Sequence, residues 1–212
     1  MTNDNPQSLG LIEAVVRHYE TCLRSAGDEG QIVGWRDSKS QRIRFQVIRQ
    51  LLADCQFASI CDFGCGRGDL LADLRSSGFE KEYVGVDASQ EMIAQAKERY
   101  VGDNLATFNC QEEPESAEII VASGLFNVRL EYSFEKWEEY FYASIMNMWS
   151  KCRMGIVFNV LSQVSDVERR SPNLYYADPA ELFRRCISIS PDIRMAHHYG
   201  LFDMTIAIYR TQ

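Results

Sequence analysis

The segment Cys61-Asp62-Phe63-Gly64-Cys65-Gly66-Arg67-Gly68-Asp69-Leu70-Leu71, followed by Val84-Gly85-Val86-Asp87-Ala88-Ser89, constrains the fold more than any other part of this chain. Phe57 to Cys61 is a short apolar run of strand type, and Leu70, Leu71 and Leu74 have the spacing of a helix face. The glycines between them therefore occupy a strand-to-helix turn. Such a turn needs backbone angles closed to other residues, and it lets a ligand approach the main chain without meeting a Cβ. Asp87 ends a second apolar run, Tyr83 to Val86, at about the 20-residue offset where an acidic side chain grips a ribose diol. The pattern reads as a nucleoside-binding α/β unit.

The spacing of the glycines narrows the ligand. A dinucleotide fingerprint requires G-x-G-x-x-G around a pyrophosphate, whereas this chain has G-x-G-x-G with Asp69 where the third glycine would fall. Asp69 beside a pyrophosphate, with Asp62 just before the turn, would be repulsive. The acidic surroundings suit a ligand carrying a cationic sulfonium and an ammonium. On these residues the sequence resembles the class I S-adenosylmethionine-dependent methyltransferases, whose first motif, an acidic residue and then x-G-x-G-x-G, is matched by Asp62, Gly64, Gly66 and Gly68, and whose second by Asp87.

The resemblance spans about residues 38–212. It implies a Rossmann-like, doubly wound, mostly parallel seven-stranded sheet with a C-terminal antiparallel hairpin, and S-adenosylmethionine as cofactor with S-adenosylhomocysteine as product. It also implies that Asp62 and the Gly64–Gly68 backbone surround the methionine part, that Asp87 lies at the ribose and Met92 against adenine with Ala88 also in contact with the cofactor, and that Ser123 offers its carbonyl to the ammonium. Gln111 or Cys110 should line the adenine edge, where the chain departs from the family's commoner glycine-aspartate pair.

Composition sets outer limits. A chain of 212 residues supports one well-buried domain; residues 1–37 are read as a helix and loop capping the site of a domain formed by 38–212. A net charge of −8 argues against a surface built for phosphate backbones, so nucleic acid is not the expected partner. The longest apolar runs fall short of the ~20 residues that span a bilayer, and Met1 to Ser8 is too polar for a signal peptide. The expected location is cytoplasmic. The seven cysteines lack paired metal spacing and read as reduced core residues, so no metal is expected.

Along the chain, strand and helix alternate. Leu9–Arg24 and Ser38–Asp54 carry helical stripes, and the second places Gln41 and Arg44 at the head of an otherwise apolar face. A buried guanidinium needs a partner: Arg44 meets either an internal carboxylate or, as a basic residue ahead of the glycine motif does in relatives, the carboxylate of the cofactor. Helices are expected at Gln90–Tyr100, Phe134–Ser150 and Asp178–Cys186, the last with Asp178-Pro179 as cap and first turn. Strands are expected at Tyr83–Asp87, Ala106–Asn109, Ala117–Ala122 and Met154–Leu161, and a closing hairpin at Ile193–Tyr199 and Met204–Arg210. The uninterrupted Ile119 to Ala122 suits a strand covered on both faces.

The acceptor pocket must come from segments overhanging the carboxyl ends of the strands. The candidates are Tyr19, Trp35, Phe126, Asn127, Arg129, Tyr175 and Tyr176, with Tyr132 and Tyr199 beside them. His197 and His198 are the candidate general bases, because imidazole titrates near neutrality, and strand alternation lets only one of them face inward. Ser123–Phe126 lacks the N-P-P-Y-type tetrad that holds a flipped adenine or a glutamine amide in related enzymes. The reading is therefore methyl transfer by in-line displacement to an oxygen or nitrogen of a small molecule. The alternatives are a protein acceptor, or a non-catalytic protein that binds the cofactor and a partner.

Overall fold

A computed structural model describes residues 6–24, 37–197 and 199–211; Trp35 and His198 lie outside them. The elements run α1 (Pro6–Leu23), α2 (Ser38–Leu52), β1 (Ser59–Phe63), α3 (Asp69–Ser76), β2 (Glu82–Asp87), α4 (Gln90–Arg99), β3 (Ala106–Cys110), β4 (Ala117–Ala122), α5 (Phe134–Lys151), β5 (Cys152–Ser162), β6 (Tyr176–Ala177), α6 (Pro179–Ile189), β7 (Asp192–His197) and β8 (Asp203–Tyr209).

The strands form one sheet in the order β3-β2-β1-β4-β5-β8-β7, with the two-residue β6 added beside the end of β5. That short strand is the one addition to the seven expected. β1 to β5 pair in parallel, and β8 returns antiparallel between β5 and β7. The strand order reverses direction at β1 and β4, which opens a crevice at their carboxyl ends where α/β sheets bind ligands. β1 lies two residues later than its apolar run suggested, because Asp62 and Phe63 continue the ladder opposite Gly85 and Val86. β7 ends at His197, short of Tyr199.

Alternate residues of β1 feed two cores. Cys61 and Phe63 join Phe126, Trp137, Phe141 and Phe158 on the face covered by α5 and α6. Ile60 joins Phe45, Ile48, Leu71 and Ile93 on the face covered by α2, α3 and α4. This is the period-two alternation of a strand with helices on both sides. β8 is buried at every position, although its hairpin partner β7 is an edge strand. Asp178 accepts from the amides of Ala180 and Glu181 with Pro179 opening α6, as its sequence foretold. Among the described residues, no helix is long and apolar enough to cross a membrane.

Candidate active site

The crevice is a cavity of about 450 Å³ that runs from the glycine turn across the carboxyl ends of β4 and β5 to the start of β8. Its near arm begins at the turn. The amides of Gly64 and Cys65 both donate to the Val86 carbonyl, at 2.8 and 3.0 Å, so the loop wraps the end of β2. The Gly66 amide then donates to Asp87 Oδ2 at 2.9 Å, and the Ser89 amide to Oδ1 at 2.8 Å. Asp87 thus fixes the loop and opens α4 with one bond per oxygen, and each oxygen keeps lone-pair capacity for a ligand. Burial pushes its carboxyl above the usual range; the two amides oppose that shift and Glu20 adds to it.

Gly66 has a positive φ of 54° and no heavy atom within 4 Å of where a Cβ would stand, so this side of the loop is an open cradle. Gly68 differs. A Cβ there would meet Tyr100 Cε2 at 2.7 Å, its carbonyl accepts from the Tyr100 hydroxyl at 2.6 Å, and it does not line the cavity. The third glycine of the motif is therefore a packing requirement beneath the loop rather than a cavity contact.

Asp62 is 2% exposed and accepts from the Tyr83 hydroxyl at 2.6 Å. Burial raises its pKa to about 7; Tyr83 works against this, and Asp87 and Asp69 add to it. A cation bound nearby would favour its charged form. Asp69 is itself engaged by Arg99, by Arg67 at 3.7 Å and by Gln41 at 3.5 Å.

Ala88, Met92, Gln111 and Ser123 all line the near arm, whereas Cys110, exposed and with its thiol donating to the Ala88 carbonyl at 3.6 Å, does not. Three further residues carried no motif. Tyr140 and Glu112 line the same arm. Asn159, fully buried on β5, donates to Ser123 Oγ at 3.0 Å and accepts from the Gly124 amide at 2.8 Å, and so sets the loop after β4. A buried asparagine in an apolar strand was the only available signal for it.

The far arm is lined by Arg44 and Phe45 of α2, by Asn127 after β4, by Tyr176 and by Phe202 and Asp203. Arg44 finds the internal carboxylate: its Nη2 donates to Asp203 Oδ2, across 159 residues of sequence. Asp203 is the partner that a guanidinium in the core requires; the pair engages Nη2, and Arg44 also lines the cavity. Burial raises the Asp203 carboxyl and Arg44 pulls it back. α1 covers the crevice with Ile12, Val15, Val16 and Tyr19, and its Tyr19 hydroxyl donates to the Gly124 carbonyl at 3.4 Å. Glu20 accepts from Ser89 Oγ at 2.9 Å, and Arg24 reaches Glu91 at 2.5 Å, which ties the end of α1 to α4.

Several expected pocket residues lie elsewhere. Phe126 is fully buried against Phe141, with ring centroids 4.9 Å apart, because the chain after β4 folds inward to cover α5. Tyr175 is likewise in the core, its hydroxyl 3.4 Å from Glu138. Arg129 turns its guanidinium to the Tyr132 carbonyl and lines a separate, shallower pocket. His197 is exposed, shares a hydrogen bond with Ser162 Oγ at 2.9 Å and does not line the cavity, because the end of the edge strand β7 lies outside it.

The near arm fits an adenosyl ligand with a cationic end. It has an open glycine cradle, a carboxylate with free lone pairs at the β2 terminus, and a second buried carboxylate at the β1 terminus that a positive charge would relieve.

Comparison with known proteins agrees. A family model described as a methyltransferase domain matches residues 60–137. The chain is 39% identical over 152 residues to Rv1506c of Mycobacterium tuberculosis, which carries a methyltransferase name, covering 71% of this chain and 92% of that protein. The fold is similar to magnesium protoporphyrin IX methyltransferase of Synechocystis PCC 6803 with bound S-adenosylhomocysteine, at 15% identity and a TM-score of 0.64 over 99% of this chain and 100% of that one. It is also similar to the N-methyltransferase NodS of Bradyrhizobium japonicum in complex with S-adenosylhomocysteine, at 15% identity and a TM-score of 0.64 over 93% and 98%. The motifs, the sheet order and a relative matched over most of its own length place this chain in the class I S-adenosylmethionine-dependent methyltransferases.

Proposed function

We propose that the chain methylates an oxygen or nitrogen of a small-molecule acceptor held in the far arm of the cavity, with the cofactor in the near arm. The observation that carries this reading is the continuity of one cavity from Asp87 and Gly66 to Tyr176 and Asp203 under α1. Its volume of about 450 Å³ falls within the ~300–1,000 Å³ of small-molecule sites. The net charge of −8 favours such acceptors over nucleic acid.

When bound, S-adenosylmethionine supplies a methyl group on a positively charged sulfur. The chain's own work is holding and enclosing. Asp87 takes the ribose hydroxyls on the lone pairs its two amide donors leave open. The Gly64–Gly66 backbone and Asp62 flank the methionine part, and the Ser123 carbonyl, set by Asn159, faces the ammonium. Ala88, Met92 and Gln111 enclose the adenine. α1, with Tyr19 over Gly124, caps the crevice and keeps water from the transfer path, where low dielectric and fixed geometry matter most. Burial raises the Tyr19 and Tyr140 hydroxyls well above their usual value, and the Tyr19 hydroxyl donates to Gly124. His197 stands outside this arrangement, and the reading assigns it no proton transfer.

The test is calorimetric titration with S-adenosylmethionine and S-adenosylhomocysteine. Near 1:1 binding that Asp87→Ala abolishes or severely weakens, followed by methyl transfer to members of an acceptor screen, supports the proposal. A folded wild type that binds neither ligand would sink it, and one that binds the cofactor but methylates no acceptor in the screen would favour the non-catalytic alternative.

A further inference from the structure

A second, shallower cavity of about 320 Å³ adjoins the far arm: Arg170, Leu174 and Tyr176 line both, while Arg129, Phe134 and Gln163 line the second alone. Its wall is built by the chain that follows β4 and β5. Val128 and Leu174 form an antiparallel bridge, and the amides of Arg129 and Leu130 both donate to the Asn173 carbonyl, at 2.9 and 3.0 Å. Leu130 takes a left-handed φ of 55° there, a strained conformation for a leucine, and such strain gathers at ligand sites. The Arg129 guanidinium is thereby held at this cavity, with Nη1 donating to the Tyr132 carbonyl. Arg170 is fixed as well: Nε donates to Ser165 Oγ at 3.0 Å, Nη2 reaches the carbonyls of Gln163 and Ser165, and the group lies over the Tyr176 ring, 5.7 Å from its centroid.

Two arginines and no aspartate or glutamate line this cavity, in a chain whose net charge is −8. Among the described residues no carboxylate pairs with either guanidinium. Asp166 lines the far arm instead, and Glu135, held below its usual range by hydrogen bonds from its own amide and from Ser133 and by the charge of Arg129, stays outside the cavity. The bonds that fix the two side chains use Arg129 Nη1 and Arg170 Nε and Nη2, which leaves Arg129 Nε and Nη2 and Arg170 Nη1 for a ligand. Two like charges on one wall repel each other, and an oxyanion between them relieves both. The arginine fork matches the oxygens of a carboxylate or phosphate, and Phe134, Leu174 and the Tyr176 ring supply apolar surface beside it.

Resting on the methyltransferase reading above, we infer that this second cavity anchors the acceptor: a carboxylate or phosphate at one end of it binds between Arg129 and Arg170, while the body passes over Leu174 and Tyr176 into the far arm, where the reacting oxygen or nitrogen lies. Arg129 and Arg170 are then the residues that select an anionic acceptor.

The test uses the full chain saturated with S-adenosylhomocysteine and three probes of nearly the same shape, 3-phenylpropionate, 2-phenylethyl phosphate and the neutral 3-phenylpropanamide, titrated by protein-observed NMR. Both anions should bind about tenfold tighter than the amide. They should shift the signals of Arg129 and Arg170 together with those of Val128 and Leu161, which line the far arm alone. Either order between the two anions supports the inference and tells which oxyanion the acceptor carries. Arg170 is tied into its loop by hydrogen bonds to Gln163 and Ser165, so Arg129 is the position to change. Arg129→Gln should reduce the preference to about threefold or less, and Arg129→Glu should erase it. Affinity for S-adenosylhomocysteine should be unchanged in both variants, which is also the control for folding. The amide binding as tightly as the anions, a preference that survives in Arg129→Glu, shifts confined to the second cavity, or no binding of either anion would each overturn the inference. Failure of wild type to bind S-adenosylhomocysteine at all would instead bring down the methyltransferase reading, and the acceptor role of this cavity with it.

Discussion

The two arms of the cavity are built by different means. The near arm comes chiefly from one stretch, residues 62–92, and from backbone amides: those of Gly64, Cys65, Gly66 and Ser89 tie the loop after β1 to the end of β2. The far arm comes from side chains that meet across long separations, such as Arg44 with Asp203 over 159 residues. A site made of local backbone carries its design in residue order. A site made of distant side chains carries it in the fold, and its residues are tied to stability as well as to binding.

That contrast can be broken first at the far arm. Arg44→Ala leaves the Asp203 carboxylate buried without its partner, and is expected to destabilise the protein by about 3–5 kcal/mol in chemical denaturation. A loss under about 1 kcal/mol would mean the pair is not part of the framework. At the near arm the order reverses: Asp87→Ala should weaken S-adenosylhomocysteine by about 100-fold in calorimetry, two charged hydrogen bonds being removed, with a smaller effect on melting than Arg44→Ala has.

Within the glycine loop the same substitution should divide by position. Gly68→Ala places a Cβ 2.7 Å from Tyr100 at a φ of 76° and should cost about 1–3 kcal/mol of stability. Gly66→Ala, with open space around its Cβ, should cost stability only about 1 kcal/mol for its φ of 54° and act mainly on cofactor affinity. Equal melting temperatures for the two variants would contradict the assignment of Gly68 to packing.

Asp62 sharpens the comparison through pH. Its usual value is 3.8 and its folded value about 7, so between them the folded state holds a proton that the unfolded state has released. Stability of the ligand-free protein should therefore fall as pH rises, by up to about 1.4 kcal/mol per pH unit between about pH 4.5 and 6.5. Asp62→Asn should make that slope shallower in denaturation series across this window, the remainder coming from Asp87 and Asp203, which burial also raises; an unchanged slope would argue that burial does not raise Asp62. The smallest effect is expected at His197: His197→Ala, on the exposed edge strand, should change stability by less than about 0.5 kcal/mol and leave cofactor affinity unaltered. A large fall in methyl transfer alone would return the histidine to the site.

Much of the near arm was legible because its determinants are contiguous. The glycine spacing, the acidic end of Tyr83–Asp87 and the capping pair Asp178-Pro179 each act within a few residues, where backbone angles and hydrogen bonds depend on local identity. The far arm was read less well. Phe126 and Tyr175 had the right composition for a pocket, but the segments after β4 and β5 turned them into the core, while Asn159, Tyr140 and Asp203 entered the site without any motif. Arg44 was recognised as a buried cation in need of an anion; only the return of β8 beside β5 showed which.

Residue order alone thus determined the alternating α/β architecture, the glycine turn and the acidic residue that faces it, since periodicity and φ restrictions are properties of short segments. The tertiary structure decided which polar side chains meet in the far arm, because burial and the partner of a buried charge depend on elements brought together from opposite ends of the chain.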